Sequence, residues 1–312
     1  IRKNSRVKLS AIPDIDWSDS SSIFTGSVPP ARRKTKPTDL CFQRTRAAGS
    51  FFCLLLALCS AMCKSLFLMS QGRNLQRKGR INYIMQLHIL ASGSTGNAIF
   101  IEMGGIRFLV DAGISARRIE QGLKALDIQP ADLDAILVTH EHSDHVSGLP
   151  VFTRRFKTPV YTRRRTWDAF QASHHVEAEY RRELGACLEM GDVSVEPFAI
   201  SHDAAEPVGF SFRHGELKCV IATDLGCVSE RVERDIAGAD VMVFEANHDL
   251  AMLRGGPYPE YLKKRILGTR GHLSNLETGR CLARMEKKTG MHVFLAHLSQ
   301  HNNCPELAMS TV

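Results

Sequence analysis

The sequence predicts an α/β fold in which helices lie outside two packed sheets and a histidine-rich loop sits at one edge. Three observations carry that expectation. Short apolar runs of strand type alternate with amphipathic helical segments from residue 86 onward. Those runs end in Gly, Asp or His. One of them, Ala135 to Val138, delivers the chain directly into Thr139-His140-Glu141-His142-Ser143-Asp144-His145. Such alternation is the mark of layered α/β architectures.

The N-terminal 84 residues are not domain-like. They sustain no period of 2 or 3.6, contain Ser18 to Ser22, Pro29-Pro30 and the basic run Arg32 to Lys36, and begin with Ile. Lys64 breaks the apolar stretch Phe51 to Met69 and leaves thirteen uncharged residues, Phe51 to Cys63, where a spanning helix needs roughly 20. A secretory signal would stand at the true N-terminus, not fifty residues in. Residues 1–84 are therefore expected to be a non-domain extension: sequence translated upstream of a start at Met85, or a disordered basic or transit-like tail, with a membrane anchor as the third reading. Residues 85–312 are expected to form the folded domain, C-terminally truncated by a final helix. No stable membrane association is expected.

The net charge of +7 is uneven, with +11 on residues 1–84 and −4 on the rest. The domain itself is mildly acidic, so charge must be argued locally. Nine cysteines, none in a CxxC pair, suit a reducing compartment better than a disulfide framework, and a cytoplasmic location is expected.

Within the domain, Leu87 and Ile89 alternate with His88, Ala91 to Asn97 forms a Gly-rich turn, and Ala98 to Ile101 resumes the strand, which reads as a hairpin. Ile106 to Val110 is a further strand, ended by Asp111-Ala112-Gly113. Ser115 to Leu126 places Ile119, Leu123 and Leu126 on one helical face. Ala135 to Val138 is wholly apolar and reads as a strand buried on both sides.

The loop after that strand holds four potential ligands within six positions. Imidazole nitrogens and carboxylate oxygens are the donors that borderline divalent ions such as zinc prefer. His140 and His142 can reach one ion, and Asp144 and His145 a second. The bland alternative is a solvated polar loop.

The pattern HxHxDH after an apolar strand resembles the signature of the metallo-β-lactamase superfamily. That resemblance implies a four-layer αβ/βα sandwich and three further ligands in order. Ser201-His202-Asp203 follows Val193 to Ile200, Thr223-Asp224-Leu225-Gly226 follows Cys219 to Ala222, and Ala296-His297-Leu298 follows Val293 to Leu295. By the resemblance His140, His142 and His202 hold one ion, Asp144, His145 and His297 hold the other, and Asp224 bridges them. The implied cofactors are two divalent ions, Zn2+ with Mn2+ as the alternative. Asp111 corresponds to an early structural Asp that supports the ligand loop. Taken singly, His202 and His297 also read as loop histidines and Asp224 as a turn cap.

Leu90 to Asn97, Ser201 to Phe210, Phe244 to Asp249 and Gly271 to Asn275 resemble one branch, the YycJ/WalJ-like group related to ribonuclease Z. Its members are regarded as 5′ exonuclease-like proteins acting on DNA. The resemblance implies a dinuclear phosphodiesterase, a DNA exonuclease at 5′ ends, in which a metal-bridging hydroxide attacks phosphorus. Asp144, His272 and Glu245 are the implied catalytic residues, His272 as the acid oriented by Glu245. The extra N-terminal segment and the early C-terminal stop depart from the branch.

For substrate contacts the sequence offers Ser94, Asn97 and His248, with Arg163 and Arg164 from a basic stretch running from Arg154 to Arg182. Phosphate contacts explain such a stretch, and so does a solvated face. Tyr161 and Trp167 read as stacking platforms or, for Trp167, as core. Lys263, Lys264 and Arg265 make a second, weaker patch. DNA is the expected partner. A small cyclic phosphodiester substrate, or a non-catalytic regulatory protein retaining the fold, are the competing readings.

Overall fold

The computed structural model of the protein describes residues 8–11, 65–69, 84–172 and 174–312. Strands β1 (Lys8–Ala11), β2 (Ser65–Met69), β3 (Ile84–Ala91), β4 (Ala98–Met103) and β5 (Ile106–Val110) precede helix α1 (Ala116–Lys124). Next come β6 (Ala135–Leu137), α2 (Ser143–Val146), α3 (Leu149–Phe156), β7 (Val160–Thr162), α4 (Arg164–Gln171) and β8 (Arg181–Glu183). The chain continues through β9 (Leu188–Met190), β10 (Val193–Ala199), β11 (Val208–His214), β12 (Leu217–Ala222), α5 (Glu230–Ile236) and β13 (Val241–Glu245). Helices α6 (Leu250–Gly255), α7 (Glu260–Ile266) and α8 (Asn275–Arg284), strand β14 (His292–Ala296) and α9 (Pro305–Thr311) complete it.

One sheet has the order β2-β3-β4-β5-β6-β7-β8 and the other β1-β14-β13-β12-β11-β10-β9. Both are mixed. The hairpin expected around Ala91 to Asn97 is the antiparallel pair β3–β4, with a register shift between Ile89 and Ala91. Pairs β5–β6, β12–β13 and β13–β14 are parallel, each joined by a helical crossover.

Period-2 alternation makes the layers. On β4, Ile99 and Ile101 enter the core between the sheets while Ala98 and Phe100 face α1, α3 and α4. On β13, Val241 and Val243 enter the same central core while Met242 and Phe244 face α5, α8 and α9. The result is helix, sheet, sheet, helix, the expected αβ/βα sandwich.

Of the expected extension, only β1, β2 and Ile84 fall within the described residues. β1 pairs with β14 and β2 with β3, each at a sheet edge. The other readings of residues 1–84, including the apolar stretch Phe51 to Cys63, lie outside the described residues. Among the described residues no helix is long and apolar enough to cross a membrane.

Candidate metal centre

The functional side chains enter from the C-terminal ends of strands of both sheets. Asp111 follows β5, the His140 loop follows β6, His202 follows β10, Asp224 follows β12, Glu245 ends β13 and His297 follows β14. Asp111, Asp224 and His297 adopt left-handed backbone, with φ of 61°, 62° and 56°. Each such turn costs about 1–3 kcal/mol in a non-glycine residue. It swings the side chain off the line of its strand and toward the common edge. Asp144 and His145 stand in the short helix α2. Their backbone is held by Asn97 N–H donating to the Asp144 carbonyl at 2.7 Å and Ala112 N–H donating to the His145 carbonyl at 2.8 Å. This approach requires glycine at 113, because a Cβ there would overlap the Asp144 carbonyl oxygen.

His140 Nε2 lies 3.1 Å from His142 Nδ1, which lies 3.3 Å from His202 Nε2. Alongside, His145 Nε2 is 3.5 Å from Asp144 Oδ2 and 3.4 Å from Asp224 Oδ2, and His297 Nε2 is 3.8 Å from Asp144 Oδ2. Asp224 Oδ1 is 4.0 Å from His202 Nε2, so its carboxylate stands between the two groups. Outer partners set the rings. His145 Nδ1 donates to Asp111 Oδ2 at 2.8 Å, His297 Nδ1 to Glu245 Oε1 at 2.8 Å and His202 Nδ1 to the Gly271 carbonyl at 3.3 Å. Each leaves its Nε2 lone pair facing inward, the arrangement expected of imidazole ligands.

Divalent ions fit this donor set. Ligand atoms of His140, His142 and His202 lie within 4.8 Å of one another, and so do those of Asp144, His145 and His297. His297 Nε2 and Asp224 Oδ2 are buried without a hydrogen-bond partner, a costly state for polar atoms. Burial, with help from His145 and His202, holds the His140 pKa well below the ordinary imidazole range, and the neutral ring is the ligating form. Burial alone would do the same to His145, but the carboxylates of Asp224 and Asp111 outweigh it and raise its pKa. The centre thus draws positive charge, which a cation can supply in place of those protons.

The family model of the metallo-beta-lactamase superfamily matches residues 91–297, from the end of β3 through the last of these ligands. The chain belongs to the metallo-beta-lactamase superfamily. It is 41% identical over 233 residues to the exodeoxyribonuclease YycJ of Bacillus anthracis, covering 73% of this chain and 88% of that protein. Exodeoxyribonuclease WalJ of Streptococcus pneumoniae is 40% identical over 229 residues, covering 72% and 85%. The solved metallo-beta-lactamase-fold protein YhfI of Bacillus subtilis superposes with a TM-score of 0.55 at 17% identity, over 73% of this chain and 90% of that one. The expected fold, superfamily, branch and hydrolase class are therefore met, and membership implies divalent metal ions.

Glu245 is fully buried yet kept as a carboxylate: burial opposes ionisation, and His272 and His297 outweigh it. Its Oε1 accepts from Nδ1 of His272 and of His297, both at 2.8 Å, and its Oε2 from the Leu225 and Leu273 N–H groups. His272 sits just before the Ser274–Glu277 capping box that opens α8, and it lines a cavity of about 250 Å³ over the centre.

The substrate-contact expectations divide. Ser94 lines that cavity, but Asn97 is buried, accepting from Gly93 N–H and standing 3.0 Å from His145 Nε2. His248 is 1% exposed, has neither ring nitrogen partnered, and burial pushes its pKa to about 4; it does not line the cavity. Nor do Arg163 and Arg164. The Arg163 guanidinium is engaged by Glu206 at 2.8 Å and by the carbonyls of Leu184 and Gly185. Arg164 is exposed beside Asp168 and Glu183. Trp167 is core, donating to the Arg182 carbonyl, and Tyr161 packs on the central core. Sequence reasoning gave no site role to Asp203, Asn247, Tyr258, Leu262 or Ser299, all on the cavity wall.

Proposed function

We propose that the protein is a dinuclear metal-dependent phosphodiesterase that removes nucleotides from the 5′ ends of DNA. The observation that carries this reading is the convergence of two ligand groups on the Asp224 carboxylate beneath a single cavity. The relatives named as exodeoxyribonucleases support DNA as the substrate. Residues 85–312 are the working unit in this reading.

His140, His142 and His202 would hold one ion, Asp144, His145 and His297 the other, with Asp224 bridging; the nitrogen and oxygen donors favour zinc over manganese. Bound there, such a pair supplies Lewis acidity at the phosphate and water that ionises near neutral pH. The remaining work belongs to the chain. Asp144 lines the cavity and is held as a carboxylate by His145 and His297 against the opposing effect of burial, so it orients the attacking water by accepting its proton-bearing side. Glu245 fixes the ring of His272, which is placed to pass a proton to the departing sugar oxygen. Asp111 holds His145, while Thr139 N–H and Oγ–H donate to the same Asp111 carboxylate. The cavity suits a strand end better than the middle of a duplex, because its volume is at the small end of ligand pockets.

Metal content per chain and digestion of duplex DNA labelled at the 5′ or the 3′ end test the proposal. Release of the 5′ label first, by protein carrying two ions, is expected. Hydrolysis of cyclic mononucleotides without release from DNA would replace it with the small-phosphodiester reading.

A further inference from the structure

Helix α7 has an unusual place for a helix of this domain: it has no buried residue, yet it lines the cavity over the centre with Leu262, Arg265 and Ile266. These positions are three and four apart, so they share one face of the helix. Its neighbours hold α7 at its middle and at its C-terminal end. Lys263 Nζ donates to the Arg254 carbonyl at 2.8 Å, and His272 N–H donates to the Ile266 carbonyl at 3.0 Å. The proton-passing residue of the proposed mechanism thus follows directly from this wall.

Among the described residues Arg265 is the one Arg or Lys lining the cavity, whose wall also includes the carboxylates of Asp144, Asp203 and Asp224. Its Nε donates to Asp203 Oδ2 at 2.6 Å. Asp203 Oδ1 is buried, without a hydrogen-bond partner, and 3.4 Å from His202 Nε2. One carboxylate therefore spans from the centre to the guanidinium. As a stability device the pair is weak, because the Arg265 side chain is 57% exposed and exposed pairs contribute about 0–1 kcal/mol. Its geometry makes sense through what it leaves free. Asp203 takes the Nε edge, and among the described residues the two terminal amino groups have no partner. That remaining edge is the fork that grips a phosphate with two parallel bonds.

We infer that Arg265, aimed by Asp203 and carried on α7, is a phosphate-binding subsite for the nucleotide adjacent to the scissile bond. The free edge lies one carboxylate and one hydrogen bond beyond His202, which puts it past the scissile phosphate and at the neighbouring one. Tyr258, half-buried just before α7, lines the same cavity. This rests on the nuclease reading above.

The test uses the full chain in its metal-loaded form, with Arg265→Gln, Arg265→Lys and, as a charge-matched control, Lys264→Gln, an exposed neighbour that does not line the cavity. Two readouts are needed: kcat and KM on 5′-labelled DNA and on bis-p-nitrophenyl phosphate, and the dissociation constant for a phosphorothioate oligonucleotide from fluorescence anisotropy. Losing charge-assisted bonds to one phosphate predicts a rise of about 10- to 100-fold in both KM and dissociation constant for R265Q. R265K should be intermediate, K264Q should shift less than threefold, and metal content should be unchanged in all three. Loss on DNA should exceed loss on bis-p-nitrophenyl phosphate at least tenfold, since the small ester has no neighbouring phosphate. An R265Q variant that binds DNA like the parent, or that loses both substrates equally, overturns the subsite while leaving the nuclease intact. A parent protein that neither cleaves nor binds DNA overturns both.

Discussion

Replacing Glu245 by Gln should weaken the hold on one of the two proposed ions, and the reason is a count of protons. Glu245 accepts four hydrogen bonds, two from imidazole Nδ1 atoms on one oxygen and two from backbone N–H groups on the other, at 2.6 Å from Leu225 and 3.2 Å from Leu273. A carboxamide keeps the shape but turns one acceptor into a donor. The backbone N–H groups have no alternative role, so the amide oxygen stays with them and the NH2 faces His272 and His297. Each ring can then meet the amide only by moving its own proton to Nε2. For His297 that removes the inward lone pair, which is the ligand atom. Losing an outer partner of this kind weakens metal binding about 10- to 100-fold, or about 1.4–2.7 kcal/mol. His272 loses its aligned Nδ1 contact at the same time, and general-acid work is worth about 10²–10⁴ in rate. Competition titration with a chromophoric chelator should find one tight and one weakened ion in E245Q, with kcat reduced by at least 100-fold. A variant with two ions at parental affinity and parental kcat would refute the proton count.

Three further outcomes are expected. His142→Ala removes a nitrogen that lies 3.1 Å from one ligand histidine and 3.3 Å from another, so metal loading and hydrolysis should vanish together; elemental analysis beside the activity assay checks this, and retention of both contradicts the site. Gly113→Ala drives a Cβ into the Asp144 carbonyl, and overpacking of this kind should lower stability by about 1–3 kcal/mol in urea unfolding. Lys218 is buried with Nζ donating to the carbonyls of Asp235 and Ala237, and burial pulls its pKa from 10.5 down to about 8. At this residue the unfolded chain therefore binds more protons between those values, so the Lys218 contribution to stability should rise with pH across that window, by up to about 3 kcal/mol, while burial that raises the thiols of Cys219 and Cys281 works in the opposite sense above about pH 9. Urea midpoints of the parent and of Lys218→Met at pH 7.5 and 10 isolate it: the parent should gain stability relative to the variant on going to pH 10, and an unchanged difference contradicts the reading.

Contiguity decided what could be read in advance. The His140 to His145 loop was legible because four donors crowd one short segment after an apolar strand. His202, Asp224 and His297 were legible only as an order of strand ends, since nothing local distinguishes them from loop residues. What brings them to one point is tertiary: left-handed turns at Asp224 and His297, and the outer bonds from Gly271 and Glu245. Arg163 read as a phosphate contact because its charge is local, whereas its partner Glu206 is 43 positions away. Asn97 read as a substrate contact in a Gly-rich turn, but the turn folds its side chain inward onto Asp144 and His145. The α7 wall was the least legible part. A helix with no buried residue carries no periodic apolar signal, and Lys263, Lys264 and Arg265 looked like one weak basic patch, although of the three only Arg265 lines the cavity.

The division of the candidate ligands between the sheets sets a demand that the core cannot meet alone. His140, His142, Asp144 and His145 belong to the sheet of β6, while His202, Asp224 and His297 belong to that of β10, β12 and β14. The central core between them, with contacts such as Phe108 on Phe212, is held by apolar burial, which is strong but not directional. A site with working geometry needs placement to about 0.5 Å. Directional bonds crossing from one sheet to the other supply it. Ser92 Oγ accepts from His297 N–H at 2.8 Å, Thr139 carbonyl accepts from Val208 N–H at 3.1 Å, and Glu141 Oε1 accepts from Ala205 N–H at 2.8 Å. The Arg163–Glu206 pair joins the same seam, fastening the loop that carries His202 to the end of β7. Residues that looked like substrate contacts or loop filler thus set the register between the halves, and the centre inherits its precision from them.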